Sequence, residues 1–195
     1  MSENPNTEFL MEKRIVRLEG EINHLMLLEL KDRMMFLRTQ SAAPITMMVD
    51  SPGGDTLAAL NFCDFMEFYL NTHVHGIVTG SCDSAATFLY LYCTKRLCFP
   101  HARFVIHSSE MGGVALKTNP ASRTHRAQLD KDLDSIHERV TQMYMRKLGI
   151  KRELVEEYVL RGEQPFNAGM WAEEAVEIGL VQEIVTAPLD IFTDT

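Results

Sequence analysis

The stretch HVHGIVTGSCDSAATFLYLY, residues 73–92, decides how this chain folds. Its first eight residues read as a strand ending at a glycine, and its last eight as a short buried helix. Ser84 stands at the joint between them. A strand handing directly into a helix is the repeating unit of an α/β domain. It also exposes a side chain at a sharp turn while the first helical N–H groups remain free. Those N–H groups, with the helix dipole, can hold a developing negative charge. Ser84 therefore has two readings, as a nucleophile or, with Asp83 as the other candidate, as the N-cap of the helix. The esterase pattern G-x-S-x-G is matched incompletely, because Cys82 and Ala86 occupy the two glycine positions.

The same alternation extends on both sides. RIVRL (14–18) and ITMMVD (45–50) predict strands, and residues 21–38 and 56–70 carry apolar positions at helical spacing. RLCF (96–99) and ARFVIH (102–107) predict two further strands separated by Pro100. SPGG (51–54) follows a buried strand and precedes a helix, so its backbone can approach a substrate closely; the plain reading is a tight turn. After His107 the pattern changes. Residues 108–122 bear glycines and have weak periodicity. Then Leu129, Leu133, Ile136, Val140, Met143 and Leu148 form one narrow apolar stripe on a long helix. Such a stripe needs a partner surface, either in its own domain or in a second subunit. KRELVEEYVL and WAEEAVEIGLVQEIV close the chain as helix, helix and strand.

Composition narrows the function. A chain of 195 residues, 46% hydrophobic and 24% charged, suits a single domain with a substantial core and leaves room for a second small element. A formal net charge of −8 argues against a general nucleic-acid binder. No apolar run is long enough to span a bilayer, and the polar start MSENPNTEFLMEKR lacks the order of a signal peptide. Residues 1–12 are expected to form a loose or separately docked leader. Cys63, Cys82, Cys93 and Cys98 sit in apolar segments without a CxxC pair, which suits reduced core thiols and a cytoplasmic setting.

A nucleophile needs a base. His107 ends the strand ARFVIH, a position that lets its ring project from the sheet edge near the serine-bearing turn. His24, His73, His75, His101, His125 and His137 compete for that role. His73 and His75 share a strand face, but two ligands without an evident third make no metal site, and neither GxGxxG nor a P-loop lysine is present. No metal and no cofactor is expected.

DSPGGDTLAALNFCDFM, GSCDSAATFL, CFPHARFVIHSSEMGG and AEEAVEIGLVQEIV, in that order over residues 14–185, resemble the ClpP family, the proteolytic subunits of Clp proteases. The resemblance implies an α/β fold of the ClpP/crotonase spiral type. It implies one domain over residues 1–195, with its core in 14–107 and 150–185, and a handle segment and helix in 108–148. It also implies a serine endopeptidase in which Ser84 is the nucleophile and His107 the base, with Gly54 and Ala85 supplying oxyanion N–H groups. Family members stack as two heptameric rings around a chamber and receive unfolded polypeptide from a ring-shaped ATPase. The long helix would then meet another subunit.

Three departures bear on activity. The family's third catalytic residue is an aspartate. Ungapped alignment puts Asn167 there, a gapped one puts Gln164, and neither is an acid; Glu163 lies close by. In chymotrypsin-type proteases asparagine in place of the aspartate lowers turnover roughly ten-thousandfold, whereas papain-like enzymes use an asparagine oxygen to orient their histidine. A retained but weakened triad is the expectation, beside the plain reading of Asn167 as a helix cap. The family's H-Q-P is here His107-Ser108-Ser109. Met48, Phe68 and Ile77 keep the apolar character of the family's ATPase-docking pocket without its tyrosines. Two other functions remain open: a low-activity ring subunit assembling with an active paralogue, and a crotonase-type acyl-CoA enzyme. The retained Ser84 and His107 count against both, whereas the Asn167 substitution counts for the first.

Overall fold

Strands buried on both faces read as apolar runs instead of strict alternations, and they pair in parallel. Residues 76–78, all buried, supply such a run at the centre of the sheet. The computed structural model describes residues 5–108, 120–164 and 169–189. Its elements are α1 (Pro5–Glu12), β1 (Ile15–Glu19), α2 (His24–Gln40), β2 (Ile45–Ser51), α3 (Thr56–Asp64) running into a π turn (Phe65–Tyr69), β3 (Val74–Asp83), α4 (Ala85–Leu91), β4 (Lys95–Cys98) and β5 (Arg103–Val105). Then come α5 (Pro120–Leu148), α6 (Arg152–Gly162), β6 (Met170–Trp171), α7 (Ala172–Glu177) and β7 (Glu183–Ile184). The chain divides into two compact units, Met1–Val105 with Gly169–Thr195, and Ile106–Ala168.

In the first unit the strands lie in the order β1-β2-β3-β4-β7, all parallel, and β5 pairs in parallel with the far end of β3. Met170 and Trp171 add a short antiparallel strand beside β5. β3 runs past the expected stop at Gly80 to Asp83, because it serves two neighbours in turn. Residues 75–78 pair with β4 and residues 81–83 with β5. The passage from one to the other coincides with a register shift against β2 between Val49 and Ser51. Asp50 holds that bulge: its carboxylate accepts the Ser81 N–H at 2.8 Å and the Ser81 hydroxyl at 3.1 Å.

The helices cover this sheet. Every residue of α4 is buried, as a helix apolar on all sides requires. Gly76 on β3 admits the Tyr90 ring, and the Tyr90 hydroxyl donates to the buried Leu97 carbonyl at 2.8 Å. Burying side chains such as Phe88 and Leu89 stabilises the fold by about 1.5–3 kcal/mol each. Asn23 and Asp55 cap α2 and α3 by accepting the Met26 and Ala58 N–H groups, each at 2.9 Å. The helix expected over 56–70 changes pitch at Phe65, where the Leu70 N–H donates to the Phe65 carbonyl five residues back. That extra residue keeps Phe65 and Met66 buried and turns Phe68 outward, 77% exposed.

In the second unit α5 packs on α6. Arg152 Nη2 donates to both carboxylate oxygens of Glu138 at 2.6 and 2.7 Å, and His137 meets Glu156 at 3.2 Å. Of the apolar stripe on α5, Val140 and Met143 are buried, whereas Leu133 and Ile136 are half-buried. No helix among the described residues is long and apolar enough to cross a membrane.

Candidate active site

Ser84 sits where β3 becomes α4, in a backbone conformation of φ 54° and ψ −128°. A non-glycine residue there is strained, on the order of 1–3 kcal/mol, and persists only where its surroundings enforce it. Three contacts do so. The Ser84 N–H donates to the Val105 carbonyl at 2.7 Å, which ties the turn to the end of β5. The Ser84 carbonyl accepts the Thr87 N–H at 3.0 Å and also the buried Thr87 hydroxyl. Next door, Arg103 of β5 pairs with the Asp83 carboxylate at 3.1 Å. The Ser84 side chain makes no capping hydrogen bond to α4, unlike Asn23 and Asp55 on their helices. The cap reading therefore does not describe its hydroxyl.

The SPGG turn lies against this elbow. The buried Ser51 hydroxyl donates to the Gly20 carbonyl at 2.6 Å and accepts the Gly53 N–H at 3.1 Å, which fixes the turn from beneath. Gly53 (φ +90°) packs directly on residues 83–85, and Gly54 (φ +148°) packs on Ile22, whose own N–H and C=O are bonded to Gly53 and Asp55. The N–H groups of Gly54 and Ala85, the two expected oxyanion donors, have no acceptor among the described residues. Ala85 is fully buried, and a buried amide without an acceptor costs about 1–3 kcal/mol unless one arrives. The first unit thus brings Ser84, Gly54 and Ala85 onto two adjoining turns. The sequence shows SPGG as a turn, but Ser51 and Gly53 carry no separate signal for their parts in it.

Nearby thiols do not compete. Burial pushes Cys82 well up, Cys93 up to about 12 against a smaller opposing pull from Arg96, and Cys98 up to about 11. A reactive cysteine needs the reverse shift. His75 is lowered by burial first, then by Lys95 and His73. Among the described residues no group of three His, Cys, Asp or Glu side chains is placed to hold a metal ion.

His107 belongs to the second unit, where it is half-buried and follows Ile106 against the last residue of α6, Gly162. Gln164 is exposed, its amide donating to the Leu160 carbonyl at 3.4 Å, and Glu163 is exposed at the end of α6. Asn167 lies outside the described residues.

A parallel sheet ending in a strained serine elbow beside a glycine turn is a mixed α/β architecture, and comparison with known proteins gives its family. The family model described as Clp protease matches residues 2–188, and the chain belongs to that family. It is a ClpP-type peptidase, a hydrolase of peptide bonds. It is 27% identical over 180 residues to the ATP-dependent Clp protease proteolytic subunit 2 of Prochlorococcus marinus (strain NATL2A), covering 90% of this chain and 84% of that protein. Its fold matches the solved structure of a ClpP1 mutant from Listeria monocytogenes in which an asparagine is changed to aspartate. There the TM-score is 0.79 and the identity 23%, over 96% of this chain and 99% of that one.

Proposed function

We propose that this protein is a serine endopeptidase of the Clp type that uses Ser84 as its nucleophile. The observation that carries the reading is the Ser84 elbow: a strained, uncapped serine with two unengaged backbone donors assigned to its site. In this reading His107 takes the proton from the Ser84 hydroxyl as its oxygen attacks the scissile carbonyl carbon. The carbonyl π pair moves to oxygen, and the Gly54 and Ala85 N–H groups receive that charge. The C–N bond then breaks, His107 returns the proton to the leaving amine, and water repeats the cycle on the acyl-serine. Support for His107 is its place in the chain, two residues beyond the Val105 carbonyl that accepts the Ser84 N–H.

Asn167 orients His107 through its amide oxygen, without the full charge of an aspartate, so activity is weakened but retained. The enzyme works as stacked, heptameric rings on unfolded polypeptide or short peptides in the cytoplasm, and the exposed Phe68 suits a partner ATPase. The test is hydrolysis of a fluorogenic peptide by the assembled protein. Wild type turns over slowly and Ser84→Ala not at all. Equal rates for the two, with rings intact, point instead to a ring scaffold for an active paralogue.

A further inference from the structure

Gly162 closes α6 and is buried. Glycine in a helix interior costs about 1 kcal/mol relative to alanine, and at a helix end it usually serves a left-handed cap, so Gly162 needs a reason. Conformation is not that reason, because Gly162 is absent from the glycines with positive φ, which are Gly20, Gly53, Gly54, Gly149 and Gly179. Close approach is. A Cβ on Gly162 would overlap the carbonyl oxygen of Ile106 and stand 3.1 Å from the Cβ of His107. The overlap is with backbone, which cannot swing aside as a long side chain can. The end of α6 therefore rests directly on the main chain that carries His107.

We infer that Gly162 is a positioning residue for His107: its missing side chain sets where the Ile106–His107 backbone lies, and so where the imidazole starts from. The inference rests on His107 being the general base. A reacting group displaced by about 1 Å can lose on the order of a hundredfold in rate. By contrast, a role in folding alone would leave the chemistry of the folded fraction unchanged.

The experiment is a double-mutant cycle on the full chain, read as the rate of Ser84 modification by a fluorophosphonate, with circular dichroism on every variant. Gly162→Ala is expected to slow modification at least about tenfold, and Gly162→Ala on top of His107→Ala to slow it no further than His107→Ala alone. A Gly162→Ala rate within about twofold of wild type overturns the inference, as does an equal, additive loss in the His107→Ala background. Should Gly162→Ala fail to fold, Leu160→Gly loosens the same turn at a residue that is 60% exposed. It should slow modification several-fold in wild type and not in the His107→Ala background; no slowing in wild type overturns the inference. If wild-type Ser84 is not modified, the serine reading fails first. If it is modified at equal rates with and without His107, the base assignment fails.

Discussion

Gly53 and Ser84 touch where neither can give way: a Cβ on Gly53 would stand 2.6 Å from the Cβ of Ser84 and 2.9 Å from the Ala85 nitrogen. The positive φ of Gly53 adds a second penalty for any larger residue. Gly53→Ala is expected to lower stability by about 1–3 kcal/mol and to reduce peptide hydrolysis by more than tenfold. Urea unfolding alongside the peptide assay checks both; wild-type values in each mean that the two turns are not packed as described.

Arg103 neutralises Asp83 one residue before the elbow, and the Asp83 side chain is only 15% exposed. Arg103→Met leaves that carboxylate without its cation and should destabilise by about 1–3 kcal/mol. Asp83→Asn added to Arg103→Met should recover part of the loss. Thermal unfolding of the two single variants and the double variant measures the coupling, which is zero if the pair contributes nothing.

The role proposed for Asn167 supplies the histidine with an oxygen but no charge. Asn167→Asp should raise peptide hydrolysis by about tenfold or more, through the stabilised imidazolium. A rate that is unchanged or lower, measured at saturating peptide, moves the third position to another residue.

The buried Cys93 thiol, held at about 12 against an ordinary 9.0, makes folding sensitive to alkali. Between those values the unfolded chain has lost the proton that the folded chain retains. Stability from this group is thus complete below pH 9 and falls as pH rises, by up to about 1.4 kcal/mol per unit. Urea midpoints from pH 8 to pH 10.5 should decline less steeply in Cys93→Ala than in wild type. Parallel slopes contradict the burial of that thiol as the cause.

Much of this fold can be read directly from residues. Apolar runs ended by SPGG and by Gly80 mark parallel strands, and the blocks around Ser84 and His107 carry the family. What escapes sequence reading is set by tertiary contact. Nothing in GSCD announces that β3 continues to Asp83, because the continuation depends on Asp50 reaching across to Ser81. The positive φ of Ser84 has no local signal either; at its ψ of −128° glycine would normally supply it. It is held by Thr87 within the same turn and by Val105 and the Arg103–Asp83 pair, which tie the turn to β5. The two-residue strand Met170–Trp171 is too short to show a period, and the π turn at Phe65 keeps the apolar spacing of an ordinary helix.

The central claim is that the Ser84 hydroxyl is the reacting atom. Its most direct test is fluorophosphonate modification of the assembled protein followed by peptide mass mapping. A single phosphonate on the peptide bearing Ser84, lost in Ser84→Ala and strongly slowed in His107→Ala, is the predicted result. Modification at another residue, or none on an intact oligomer, contradicts it.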